Sequence, residues 1–485
     1  MSFVKPGVDI TFSAFNEAFY AAFDDPTIFD CEEFNLLKVV QDGLKVGYNW
    51  KTPFGNSLSR IKRYYRIRQW LARFRGSKSV LEDWDLQEVK GTYRPWLILE
   101  PGRMVENEEG EKVSQYMERI MEDLGSDHFF YIQNTPLQTL SHRSFDVQLQ
   151  TLYEAPYLLP ISDDAAQLYE ALQKAYVRIE AALGLEGESQ VMVKCAFEKF
   201  WNAYRIWSFL LSNISCEKAL VVCHYHKEGE IFAMKRAGLE VIELQHGLIS
   251  TEDIFYVYPP KVAPVVDRAL FADQIWTYGA YWKETLAQGV EYSPKQTKVI
   301  GYYHFETEDV DPEIMEKGQQ AKADGQPLIF FTTQTFLHEP FIAYIQWLHA
   351  DLEAKGQKAH IWVKNHPNEL REAYAAIEAL ENVEIVTGDL KSMFRVCDYH
   401  VSIYSTTLYD ALREGKQNFA LYVESCADYV EAVLNSGVAQ RVNMKENLLE
   451  LSIDQGEAIH PEHFYATYDA GMWNTHPART EVSTK

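Results

Sequence analysis

No run of about 18 apolar residues occurs in the sequence, so no segment is expected to span a membrane. The opening residues, MSFVKPGVDITF, show no basic stretch followed by an apolar one, so no secretory signal is expected. Cysteine is sparse: Cys31, Cys195, Cys216, Cys223, Cys397 and Cys426 lie far apart, with no CxxC pair and no Cys/His cluster. That spacing excludes a zinc-ligand pattern and points to reduced thiols in the cytoplasm. Internal repeats and low-complexity runs are lacking too. Positive charge is short, with 46 Lys plus Arg against 70 Asp plus Glu and a net charge of -24. A nucleic-acid partner wants a basic face, so the balance argues against one. What is present is apolar and aromatic: 47% and 14% of the residues, which excludes a disordered chain. At 485 residues the chain exceeds what one core usually fills, so two domains with additions are expected. The 11 Trp and 29 Tyr suit large cores, and also sites that hold sugars or flat rings.

The charge is unevenly spread. Between Gly43 and Leu81 there is no acid, and there are ten cations. The remainder carries 36 cations against 70 acids, a balance of -34. Within the basic stretch Ile61, Tyr64, Ile67, Leu71 and Phe74 recur every three to four residues, which is helical spacing with one apolar and one basic face. Such a helix docks on anionic lipid or holds an anionic acceptor. The plainer reading is a core helix whose cations are solvated.

Four regions are expected: a helical extension (1–90), an α/β domain (91–305), a second α/β domain (306–455) and a tail (456–485) that packs back on the first domain. Short apolar strands alternate with helices from Trp96 onward, which predicts parallel sheets covered on both faces. Lys112 to Leu124 and Glu369 to Leu380 read as helices. The polar stretch from Phe305 to Gln326 reads as a linker. The fold class is therefore α/β, with two doubly wound Rossmann-like domains facing a central cleft.

Polar residues follow strands directly at four places: Gln245-His246-Gly247, Thr332-Thr333-Gln334, Lys364-Asn365-His366-Pro367 and Ser405-Thr406-Thr407. In open α/β sheets such positions converge on one crevice. Hydroxyls at a helix start cap it and leave N–H groups for a phosphate; an ordinary cap would use one of the three. Lys364 and His366 can donate to a phosphate, and Pro367 forces the turn that aims His366; the bland alternative is a surface turn. His246 can accept a proton from an attacking hydroxyl, unless it is a satisfied structural histidine. Glu228, past the preceding strand, is a second acid/base candidate. Glu252 and Asp253, on the loop after His246, rank below it.

The segments VIELQHG, WVKNHP and SIYSTTLYDALREGK resemble the GT-B glycosyltransferase superfamily. Within it they look like bacterial capsule and surface-polysaccharide transferases: Kdo transferases, sialyl- and polysialyltransferases, and CDP-glycerol and CDP-ribitol transferases. The resemblance spans residues 215–425 and does not reach residues 1–90. It implies that His366, Pro367 and Lys364 hold the donor phosphate, with Ser405, Thr406 and Thr407 on the same phosphate or its neighbour. Thr332 and Thr333 would join this donor side. Asp410 stands where many relatives have a ribose-binding Glu, one methylene longer. His246 would be the base, with Gln245 and Gly247 on the acceptor side. No metal and no cofactor are implied, and no DxD motif sits at a strand end.

The expected activity is glycosyl transfer from a nucleotide donor, foremost a CMP-linked ulosonic acid such as Kdo or sialic acid, to a hydroxyl of a bacterial surface polysaccharide or glycolipid. The alternatives are a CDP-glycerol, CDP-ribitol, UDP-sugar or GDP-sugar transferase, a UDP-sugar 2-epimerase, and a non-catalytic nucleotide-sugar or glycan-binding module. The expected location is the cytoplasm, with residues 60–78 touching the inner face of the membrane. On that reading the protein pellets with anionic vesicles at low salt and is released at high salt; absence of pelleting leaves the core-helix reading.

Overall fold

The computed structural model describes residues 12–48, 90–107, 110–132, 163–253, 255–266, 269–306, 310–334, 337–367, 369–452 and 460–473. The basic segment 60–78 lies outside them. Among the described residues no helix is long and apolar enough to cross a membrane.

Two six-stranded parallel sheets form the body. The first contains β1 (Trp96–Leu99), β2 (Phe129–Ile132), β3 (Lys218–Val222), β4 (Glu240–Leu244), β5 (Gln274–Thr277) and β6 (Thr297–Val299). Its order is β6-β5-β4-β3-β1-β2. Every residue of β1 and β2 is buried, as a strand covered on both faces requires. The second sheet contains β7 (Leu328–Thr332), β8 (His360–Lys364), β9 (Val383–Ile385), β10 (Tyr399–Ser402), β11 (Gln417–Leu421) and β12 (Gln440–Val442), in the order β9-β8-β7-β10-β11-β12. Both are doubly wound orders. Each has a switch point where successive crossovers leave in opposite directions and a crevice opens beyond the strand ends. The switch points lie between β1 and β3, and between β7 and β10.

The helix Glu228–Arg236 crosses the long helix Gly187–Leu211 closely. The contact needs Gly229, because a Cβ there would stand 2.3 Å from the Phe200 carbonyl oxygen. The extension enters with helices Phe12–Ala21 and Leu37–Tyr48. Phe15, Phe19, Phe23 and Phe29 are buried in the main core, with Phe19 and Phe23 rings 5.4 Å apart.

Residues 460–473 return to the first domain. Trp473 lies against Trp96 and Trp276, at 5.5 and 5.2 Å between centroids. Ala466 N–H donates to the Tyr278 carbonyl at 2.8 Å, and Tyr302 N–H donates to the Ala466 carbonyl at 2.9 Å. The tail also fills the space over two glycines, Gly279 and Gly301.

Three sequence expectations need correction. Lys112 to Leu124 is not one helix. Lys112–Ser114 pairs antiparallel with Met104–Glu106, and the Ser114 hydroxyl accepts from Met117 N–H to start the turn into helix Glu118–Leu124. The polar stretch around 305–326 carries helix Pro312–Ala321, with Asp311 as its side-chain cap and Pro312 at the first position. Its Gly318 sits against Val396, so a face that looks polar in sequence packs through a glycine. Residues 369–380 form a 3-10 turn, Arg371–Tyr374, and a short helix, Ala375–Glu378.

Gly301 has a φ of +85°, and a Cβ there would lie 2.3 Å from the Thr467 carbonyl oxygen. Gly301→Ala is expected to cost about 2–3 kcal/mol from backbone strain and overpacking. Urea unfolding would show this as a lower midpoint at unchanged slope; an unchanged midpoint would mean that the tail does not press on this turn.

Candidate active site

At the first switch point β1 runs into Glu100 and the turn Pro101-Gly102-Arg103. Glu100 is fully buried, accepting from Gly102 N–H at 2.8 Å and Tyr131 O–H at 2.7 Å. The turn throws Arg103 outward, where it is exposed. Its guanidinium donates to Tyr116 Oη at 2.9 Å and has no carboxylate partner among the described residues.

β3 ends in a sharp turn. Cys223 and His226 have φ of 64° and 63°, a costly left-handed conformation for such residues. The turn is held by Lys227 Nζ, which donates to the carbonyls of Val222 and Cys223 at 2.9 and 2.8 Å. It presents Tyr225, whose ring stacks on Phe255 at 4.4 Å and whose hydroxyl is 2.9 Å from His246 Nε2.

His246 follows β4. Its Nδ1 lies 3.4 Å from the Tyr256 hydroxyl. Burial pushes its imidazole down to about 4; the Glu243 carboxylate pulls the other way, and Lys227, Arg103 and His224 add to the depression. The ring is neutral at pH 7 and can accept a proton. Gln245 is spent internally: its side chain donates to the Gly247 carbonyl at 2.8 Å and accepts from Tyr278 N–H at 2.9 Å. Through these bonds it shapes the turn that carries His246. Gly247 has nothing within 4 Å of where a Cβ would be, so the backbone there is open to close approach.

Glu228 does not join His246. It is buried in an ion pair with Lys38 at 2.6 Å and accepts from His226 N–H at 3.0 Å. A carboxylate that neutralises a buried lysine is not free to exchange protons with a substrate. Asp253 closes a turn by accepting from Phe255 N–H at 3.0 Å, and the Glu252 carbonyl accepts from Asn16 Nδ2 at 3.2 Å.

At the second switch point the expected residues divide. Thr332 is buried: its hydroxyl lies 2.9 Å from His400 Nε2 and 2.7 Å from the Thr407 hydroxyl. Asn418 Oδ1 lies 2.8 Å from His400 Nδ1, while the Asn418 amide donates to Leu408 and Val438 carbonyls. The run Thr407 to Thr332 to His400 to Asn418 is therefore a closed internal chain that takes Thr332 and Thr407 out of a donor role. The Ser405 hydroxyl accepts from Thr407 N–H at 3.2 Å, in the turn just before helix Thr407–Arg413. The Thr406 hydroxyl makes no hydrogen bond to the described residues.

Thr333, His366 and Glu369 form a second unit. Thr333 Oγ1 donates to Glu369 Oε2 at 2.5 Å and accepts from His366 N–H at 2.9 Å. Tyr374 also donates to Glu369 Oε2, at 3.0 Å, while Glu369 Oε1 is buried without a partner. Burial lowers the His366 imidazole, and the Arg103 charge lowers it further. Lys364 Nζ donates to the Gly388 carbonyl at 2.7 Å, toward the β9 side of the sheet. Pro367, exposed, follows His366 in the turn.

The Arg103 charge acts on His246 and His304 of the first domain and on His366 of the second, lowering each imidazole. Asp410 is elsewhere, in the interdomain seam beneath Tyr465, with Oδ1 unpartnered. Sequence reasoning missed Arg103, Tyr225 and Glu369. The first two had a usable signal, since each follows an apolar strand within four residues.

No family profile matches the chain, and no curated protein matches it in sequence. Among solved structures, the UDP-GlcNAc 2-epimerase from Neisseria meningitidis bound to UDP-GlcNAc aligns with 79% of this chain and 97% of its own, at 13% identity and a TM-score of 0.45. The S. aureus MnaA–UDP structure aligns with 79% and 94%, at 12% identity and 0.45. The glycosyltransferase SnogD from Streptomyces nogalater aligns with 74% and 88%, at 12% and 0.40. Scores this low leave the fold assignment to the strand orders themselves. Two doubly wound domains with facing strand ends are the GT-B architecture expected from the sequence.

Burial pushes the Asp410 carboxyl up to about 7; Glu306 adds to this, while Arg413 and a Tyr465 hydrogen bond oppose it. A carboxyl raised in the fold keeps a proton that the unfolded chain has lost. It therefore destabilises as pH rises from about 4 to 7. Asp410→Asn is expected to be more stable than wild type at pH 8, by at most about 4 kcal/mol, and equal to it at pH 3.5. Urea midpoints at both pH values check this; a gap that does not change with pH would contradict it.

Proposed function

We propose that the protein is an enzyme that binds a nucleotide sugar in the cleft and transfers its glycosyl group to an acceptor hydroxyl. The observation that carries this reading is Arg103, an exposed cation without a carboxylate partner among the described residues, whose charge lowers both His246 and His366. On this reading an anion at the switch points meets that guanidinium, the His366 turn and the Thr406 hydroxyl. Transfer asks for charge on the leaving phosphate to be offset and for the acceptor to be oriented and deprotonated. Arg103 suits the first task. His246, held neutral, suits the second. As the acceptor oxygen bonds to the anomeric carbon, the bond from that carbon to the phosphate oxygen breaks with its electron pair, and the acceptor proton goes to His246.

The finer reading keeps a cytidine donor, a CMP-linked ulosonic acid foremost, with a bacterial surface glycan as acceptor at the inner face of the membrane. The KNHP turn supports it, since a single phosphate needs few groups. A second reading, a UDP-sugar 2-epimerase, is favoured by the buried and unpartnered Glu369 Oε1 beside His366. That oxygen can face a sugar.

A thermal-shift screen against CMP, CDP, UDP and GDP is expected to show stabilisation by one nucleotide, growing with its concentration. Arg103→Ala and His366→Ala should each weaken that binding about tenfold or more, because charge-assisted contacts to phosphate are lost. Retained affinity by calorimetry in both variants would remove the proposed donor site. Conversion of UDP-GlcNAc with no acceptor present would favour the epimerase over the transferase.

A further inference from the structure

We infer that Glu243 and Tyr256 are positioning residues that fix His246 in the tautomer with hydrogen on Nδ1, leaving the Nε2 lone pair to take the acceptor proton. The inference deepens the proposed transfer and rests on His246 as its base.

The argument counts hydrogens. Both ring nitrogens of His224 face acceptors: Nδ1 touches Glu243 Oε2, and Nε2 lies 2.8 Å from the Phe255 carbonyl. One hydrogen therefore lies on the contact between Nδ1 and Oε2, and Oε1, which also accepts from the His224 N–H at 3.1 Å, carries none; the Glu243 carboxyl is held below its usual range. A carboxylate only accepts. The Tyr256 hydroxyl, 2.8 Å from Glu243 Oε1, must donate to it. With its one hydrogen spent, the Tyr256 oxygen can only accept from His246 Nδ1, across 3.4 Å, a long and weak bond. The opposite tautomer would set the Nδ1 lone pair against an oxygen that has no hydrogen left to offer. Nε2 is then bare of hydrogen and accepts from Tyr225 O–H at 2.9 Å. Tyr225 holds that lone pair, so an acceptor hydroxyl must displace its hydrogen bond to be deprotonated there. The Tyr225 ring stacks on Phe255, and the Phe255 carbonyl is itself bound to His224.

The test needs no substrate. In protein carrying 15N-labelled histidine, long-range proton–nitrogen correlation at pH 7 reads the tautomer of each ring, and His246→Gln assigns the signal. Wild type is expected to show the Nδ1–H form of His246 in excess by about fivefold or more, the bias that one weak hydrogen bond supplies. Tyr256→Phe keeps the ring contacts and removes only the oxygen; it should lose or reverse that excess while melting within a few degrees of wild type. Hydrogen on Nε2 in wild type, or an unchanged tautomer in a folded Tyr256→Phe, would overturn the inference. Should Tyr256→Phe fail to fold, the wild-type spectrum alone decides. Failure of the base reading would appear separately, as nucleotide-sugar turnover retained in His246→Ala, and would leave the ring spectrum untouched.

Discussion

A carboxylate in the middle of the first sheet organises the half of the molecule that holds His246. Glu243 has no exposure, and a charge in that position costs several kcal/mol unless it is matched and hydrogen-bonded. Burial alone would raise its carboxyl, yet the His224 charge and the donors from His224 and Tyr256 hold it below the usual range. Meeting those demands fixes the backbone. His224 must lie under β4, so the chain turns back through Cys223 and His226, both at positive φ. The Phe255 carbonyl is drawn to His224, which pins the loop after His246. Tyr225 and His246 are consequently brought together by a charge that neither of them contacts through its own hydrogen bonds. The extension takes part in the same balance. Lys38, fully buried, faces Glu228 at 2.6 Å and also feels Asp42 and Glu243, which together outweigh its burial and raise its ammonium. Residues 37–48 thus belong to the first domain's charge balance, although their sequence reads as an appendage.

The domains are joined by a different device. Arg413 of the second domain covers the Tyr302 ring of the first at 4.3 Å, and is held there by a two-pronged ion pair with Glu306 at the start of its own domain, at 3.2 Å on each side. Around it Tyr278, Tyr302, Tyr303 and Tyr465 pack with His304, burying their rings. Tyr278 Oη lies 2.6 Å from His304 Nε2, and Tyr303 donates to the Gln245 carbonyl at 2.6 Å. The second contact matters for the site: a seam tyrosine holds the residue before His246. The abundance of tyrosine, which in composition suits a sugar site, is here largely a hinge material that ties the tail, the seam and the His246 turn into one cluster.

The fold was legible because parallel strands buried on both faces leave continuous apolar runs, and runs such as WLIL and LIFF can hardly be anything else. The convergence of strand-end residues was legible for the same reason. Which of those residues turn inward was not. Thr332 and Thr407 look identical in sequence to Thr333 and Thr406, but His400, a buried polar residue on β10, needs a donor, and the hydroxyl nearest to it is consumed. Glu228 looked like a free acid because its partner, Lys38, lies 190 positions earlier in the chain. Arg103 was overlooked because a cation after a Pro-Gly turn resembles an ordinary loop residue until the second domain is set opposite it. In each case the missing information is a long-range pairing demand, which local pattern cannot carry.

The same demand bears on how a chain of net charge -24 would meet the anionic donor proposed for it. Bulk charge repels a nucleotide, so attraction must be local and in a low-dielectric setting, where one cation has long reach. Burial keeps His246, His304 and His366 mostly neutral, and Arg103 depresses each of them further. One guanidinium therefore serves two ends. Without an anion beside it, it discourages protonation of the proposed base. In the proposed transfer it would also offset charge on the leaving phosphate, so the cation expected to draw the donor is the one that keeps the proposed base free of a proton.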